Sequence, residues 1–169
     1  MAVISMSVVG MLFTGCSSFR KSTATTSPHQ TFSYGKFSTV DPGKDLHPRD
    51  ELTLKWEPVP ERTAESNAPA QITLLAGLYG PFDTVDALKN EMSSSHTPGH
   101  TPKDDLSDAA VGVDPIETDS WSSATYTSTL ALPSNLRPGY YSLVRASVTN
   151  TTQGTTRSSS QTVLHVSLR

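Results

Sequence analysis

The residues of this 169-residue chain whose types could do chemistry are few and widely spaced. There is one cysteine, Cys16, and one histidine pair, His96 and His100, which brackets Thr97-Pro98-Gly99 and is followed by Asp104, Asp105 and Asp108. Two imidazoles beside carboxylates suit zinc or another borderline cation. The spacing works against such a site. A pair four residues apart points to one side only in a helix, and Pro98-Gly99 prevents that helix, so the loop must be ordered at entropic cost before it can coordinate anything. Residues 83–108 carry six acids against Lys89 and Lys103, the signature of a solvated acidic loop. No serine stands in a nucleophile elbow or a Ser-x-x-Lys pattern, and the chain has no Gly-rich phosphate loop and no CxxC pair. The expectation is no catalytic residue, no resident metal and no cofactor. A metal-dependent hydrolase built on His96 and His100 ranks last among the functional readings.

Cys16 belongs to a different chemistry. The stretch Met1 to Gly15 contains no charged residue. It is too short to cross a bilayer as a helix, which takes about 20 residues, and has the length of the apolar region of an export signal. At its end, Leu12-Phe13-Thr14-Gly15-Cys16 resembles a bacterial lipobox: an apolar pair, small residues at the cleavage point, then a cysteine. Small residues let a peptidase approach the backbone, and a thiol has the nucleophilicity to take a lipid. The resemblance implies cleavage before Cys16, a diacylglycerol thioether on its sulfur, and a mature protein held to the extracytoplasmic face of the cell membrane. A lone cysteine also rules out a disulfide within the domain, so the fold must rest on apolar burial and the backbone ladder.

Composition agrees with an exported, strand-rich domain. Ser and Thr together number 46 of 169 and charged residues only 17%, which favours strands and loops over helices. With a net charge of −3, no basic field exists to attract a nucleic-acid backbone. Residues 1–15 read as a signal segment. Residues 16–31, with the lipidated cysteine and a Ser/Thr-rich run, read as a flexible tether unable to bury enough surface to order itself. Residues 32–169 are then one domain with a core, too short for a two-domain enzyme.

Within that domain short apolar runs recur between turn signals. Phe32, Tyr34, Phe37 and Val40 suggest a first strand closed by Asp41-Pro42-Gly43. Leu52, Leu54 and Trp56 alternate with Thr53, Lys55 and Glu57, which gives one buried and one wet face, and Pro58 and Pro60 should end that strand. Ile72, Leu74, Ala76 and Leu78 share one face of the next run while Leu75 and Tyr79 share the other, the pattern of a central strand covered on both sides. The period then changes: Val85, Leu88 and Met92 predict one short helix capped by Asp83 or Thr84. Further strands are expected at Val111–Val113, from Ala124 to Leu132, from Tyr140 to Asn150, and over Leu164, Val166 and Leu168, with His165 facing outward. The total of about seven strands with one helical insertion predicts an all-β, immunoglobulin-like antiparallel β-sandwich.

Three stretches carry a second resemblance: Leu78-Tyr79-Gly80-Pro81-Phe82, the Trp121 to Leu132 strand, and Arg137-Pro138-Gly139-Tyr140-Tyr141. Together they resemble an immunoglobulin-like module of exported and wall-anchored actinobacterial surface proteins, which implies a non-catalytic surface domain. Independently of that resemblance, Pro-Gly-Tyr-Tyr suits a tyrosine corner, in which Tyr140 or Tyr141 turns its hydroxyl back onto the chain just upstream. The functional expectation is a lipid-anchored binding or adhesion module for a protein or glycan at the cell envelope, with Phe82 and Trp121 as candidate contact residues. A structural subunit of an envelope or secretion assembly is the alternative.

Overall fold

In a computed structural model of the chain, the structure describes residues 29–39, 45–66, 68–94, 106 and 108–168. It is an antiparallel β-sandwich with one short helix, built from β1 (His29–Thr39), β2 (Glu51–Ser66), β3 (Gln71–Phe82), α1 (Val85–Ser94), β4 (Val111–Gly112), β5 (Ile116–Asp119), β6 (Tyr126–Ala131), β7 (Gly139–Thr151) and β8 (Gly154–Val166). One sheet has the order β1-β2-β6. The other has the order β4-β3-β7-β8, with β5 pairing β3 beside β4. The chain crosses between sheets from β2 to β3, from β5 to β6 and from β6 to β7, the Greek-key connectivity of an immunoglobulin-like sandwich.

The alternation in β2 does what its pattern requires. Leu52, Leu54 and Trp56 are buried between the sheets with Tyr34, Leu130, Leu74, Leu78, Tyr141 and Leu143. On the opposite face Lys36 and Lys55 both pair with Glu57, and those contacts hold its carboxyl down at about 2. β3 is covered on both sides, as its two apolar faces demand. Ile72, Leu74, Ala76 and Leu78 enter the core between the sheets, while Leu75 joins Leu106, Val144 and Ala146 in a second cluster on the outer face.

Four expectations are corrected. β2 does not stop at Pro58 and Pro60 but continues to Ser66. Its pairing with β6 ends at Trp56↔Tyr126, and from there β1 is its partner, so a residue without an N–H occupies an edge rather than a central ladder. The strands number eight among the described residues, because Ile116–Asp119 adds a segment that follows Pro115 and contains only one apolar residue. Finally, the closing strand is Gly154–Val166, nearly half of it Ser and Thr, and Leu168 lies beyond it with 68% exposure. β1 also starts at His29, ahead of the first aromatic residue. Thr31 is buried there, and Gln30 donates to the Glu61 carbonyl at 2.9 Å.

The helix begins as predicted, and Thr84 is its cap: its Oγ1 accepts from the Ala87 N–H at 3.1 Å. Leu88 is the residue that docks it, fully buried where α1 packs on the outer face of β3 and β7. Leu46 adds a short parallel bridge to β8, its N–H donating to the His165 carbonyl at 3.1 Å and its carbonyl accepting from Ser167 at 2.8 Å.

Candidate functional site

The Gly-Pro-Phe and Pro-Gly-Tyr-Tyr stretches meet in space. Phe82 lies opposite Tyr140, and the register shifts by one residue between there and Tyr79↔Ser142, so Gly80 and Pro81 form a bulge. Each glycine is seated against the other stretch. A methyl group on Gly80 (φ 141°) would lie 2.8 Å from the Tyr140 carbonyl oxygen, and one on Gly139 (φ 146°) 3.0 Å from that of Phe82. Both positions need a residue without a side chain, because the dihedral and the close approach exclude one together.

The geometry selects between the two tyrosines. Tyr141 is fully buried, and its hydroxyl donates to the Arg137 carbonyl at 2.7 Å, which closes the tyrosine corner. Burial pushes its phenol pKa up. Tyr140 points to the other face, where its ring lies 4.8 Å from that of His165. His165 is outward as expected, with its Nδ1 3.6 Å from Asp45. Tyr141→Phe is expected to lower unfolding free energy by about 1–2 kcal/mol in urea titration, since the Arg137 carbonyl loses its partner. Tyr140→Phe should change it by less than about 0.5 kcal/mol.

Phe82 and Trp121 are not brought together. Phe82 ends β3, whereas Trp121 follows β5, whose Asp119 pairs with Gln71 at the start of β3. The two are separated by the length of that strand, roughly 35 Å at about 3.3 Å per residue. Trp121 is half-buried, its ring 4.4 Å from that of His29. The turn that holds it is polar and well tied. The Asp119 carboxylate accepts from the N–H groups of Trp121 and Ser122 at 2.9 and 3.1 Å. The Tyr34 hydroxyl lies 2.9 Å from the carbonyls of both Ser122 and Ala124. The two aromatic residues therefore cannot line one small-molecule site.

Cys16, His96 and His100 lie outside the described residues. Among the described residues, no group of three or more His, Cys, Asp or Glu could hold a metal ion, and no helix is long and apolar enough to cross a membrane.

Two features were not read from the sequence. Arg145, on the core face of β7, is only 5% exposed, yet its guanidinium meets hydroxyls rather than a carboxylate: Thr39 at 2.7 Å, Thr162 at 2.8 Å and Ser160 at 3.5 Å. Desolvation lowers its pKa, and it lies 5.9 Å from the centre of the Phe37 ring. It ties β1 to the β7–β8 pair across the open side of the sandwich. The second feature is a cleft of about 630 Å³ on the outer face of the larger sheet. Its wall is α1, through Leu88, Lys89, Met92 and Ser93, and its floor is Ser142 of β7 with Gln161 and Val163 of β8. The available signal was Val163, an apolar residue on the wet face of a Ser/Thr strand, 46% exposed.

No family model and no curated protein matches this chain. The class it can be assigned is set by its fold alone, an all-β antiparallel sandwich.

Proposed function

We propose that the chain is a lipid-anchored, extracytoplasmic binding module without catalytic activity, whose partner is a protein or glycan of the cell envelope. The observation that carries this reading is the order Leu12-Phe13-Thr14-Gly15-Cys16, placed at the end of an uncharged apolar segment and ahead of a Ser/Thr-rich run leading to the sandwich at His29. Such an arrangement places an anchor, a spacer and a folded domain in the sequence a surface module needs. A diacylglyceryl cysteine supplies two acyl chains, the number required for stable rather than transient attachment. The sandwich supports the reading by giving a rigid scaffold on which surface loops can carry the binding residues.

Cys16→Ser tests it. With the full chain expressed in a bacterial host, the unmodified protein is expected in the membrane fraction and in the detergent-rich phase on Triton X-114 partition. The Cys16→Ser variant is expected to lose at least about 90% of that partition, since no acyl chain remains to hold it. Equal partition of both would overturn the anchored reading.

A further inference from the structure

We propose that the cleft between α1 and the outer face of β7–β8 binds an amphipathic carboxylate, a small molecule with an aliphatic body and one carboxylate group. This inference goes beyond the protein or glycan partner of the proposed function: it gives the same binding module a separate small-molecule ligand. The cleft's volume, about 630 Å³, lies inside the range of about 300–1,000 Å³ usual for small-ligand sites.

Its lining has two parts with different chemistry. Met92 on α1 and Val163 on β8 give aliphatic surface on two sides, over the buried Leu88, and Val163 is 46% exposed although it is the apolar residue of that strand face. The polar lining is Lys89, Ser93, Ser142 and Gln161, all with side chains able to donate; the Ser93 hydroxyl already donates to the Lys89 carbonyl at 2.8 Å, which leaves the ammonium, the Ser142 hydroxyl and the Gln161 amide. Among the described residues no acid lines the cleft.

Ser142 is the sharpest of these observations. Its side chain is 1% exposed, and its Oγ has no hydrogen-bond partner among the described residues. Buried hydroxyls are almost always paired, so an unpaired one on the floor of a cleft calls for an acceptor from outside the chain. Lys89 points to the sign of the charge on that acceptor. It stands on α1 above the same floor and makes no ion pair among the described residues. A carboxylate only accepts hydrogen bonds and carries the complementary charge, so it can answer the hydroxyl and the ammonium together while its aliphatic body covers Met92 and Val163. A cationic amphiphile would gain the apolar contact and meet repulsion from Lys89.

The test is a two-dimensional amide NMR titration of the full chain with decanoate, with decyltrimethylammonium as the cationic counterpart of equal chain length. Decanoate is expected to give saturable shifts at Lys89, Ser142, Gln161 and Val163, and decyltrimethylammonium to bind at least about tenfold more weakly, the equivalent of one lost charge pair. Lys89→Glu, at an exposed helix position, should weaken decanoate at least about tenfold. Ser142→Ala should weaken it severalfold without lowering thermal stability, because the hydroxyl it removes has no partner in the free protein. The proposal is overturned if decanoate gives no saturable shift at these residues, if the two amphiphiles bind alike, or if Lys89→Glu leaves the affinity unchanged. Membrane partition reads out anchoring separately, so failure here with partition intact defeats the carboxylate site alone.

Discussion

Trp56→Ala is expected to lower the unfolding free energy by about 3–5 kcal/mol. Trp56 is fully buried in the cluster that joins the two sheets, which also holds Leu54 of its own strand, Tyr34 of β1 and Leu74 and Tyr141 of the facing sheet. Removing an indole there leaves a cavity that two hydrogen-bonded sheets cannot close, and the loss combines transfer free energy with lost contacts. For a domain of this size, whose total stability is about 5–15 kcal/mol, that is a large share. No cross-link limits the damage, because a single cysteine cannot form a bridge within the chain. Urea unfolding followed by tryptophan fluorescence or circular dichroism should show a lower midpoint with an unchanged slope. Trp121→Ala provides the contrast. Its ring is half-buried and rests on His29 at one end of the sandwich, so its loss should cost about 1–2 kcal/mol. A cost for Trp56→Ala below about 1 kcal/mol would contradict the core described above.

Gly80→Ala is the second large effect. The new methyl would stand 2.8 Å from the Tyr140 carbonyl oxygen and 2.8 Å from the Tyr141 ring, and neither can withdraw. The first is backbone of a central strand; the second is held by its hydroxyl on the Arg137 carbonyl. The φ of 141° adds strain for any residue with a β-carbon. About 1–3 kcal/mol from the dihedral and about 1–3 kcal/mol from overpacking give an expected loss of roughly 2–6 kcal/mol. Gly112→Ala is the control. Its added methyl would meet nothing closer than 3.9 Å, so the variant should be neutral or slightly stabilised through a less flexible unfolded chain. Equal stabilities for the two variants by thermal unfolding would show that the bulge between β3 and β7 is not the constraint inferred here.

How far the amino-acid order foretold this molecule depended on whether a local pattern had one physical solution. Leu52, Leu54 and Trp56 alternate with charged and polar neighbours, and only one face of β2 could be buried. Ile72 to Tyr79 is apolar on both faces, and the strand proved central. Val85, Leu88 and Met92 share a helical face, and Leu88 docks it. Pro-Gly-Tyr-Tyr allowed a corner by either tyrosine, and the choice of Tyr141 came from register, since only that residue faces the core.

The misreadings came where tertiary position overrides local preference. A proline argues against a central strand, yet Pro58 and Pro60 lie where β2 has lost one neighbour. Ile116–Asp119 has a single apolar residue and is a strand because β3 offers it an edge. Gly154–Val166 is nearly half Ser and Thr, and its pairing with β7 is unbroken along its whole length. Phe82 and Trp121 were both aromatic residues near loops, and nothing local shows that a whole strand separates them. The cleft beside α1 was illegible for the same reason, since Lys89, Ser142 and Gln161 are far apart along the chain and meet only because α1 folds back over β7.

Anchoring at Cys16 is the claim from which the rest of the functional reading descends, and intact mass spectrometry of the protein isolated from its native membranes tests it most directly. The expected result is a mature chain beginning at Cys16, heavier than its amino-acid sequence by a diacylglyceryl group. A chain that retains residues 1–15 and carries no acyl mass would contradict it.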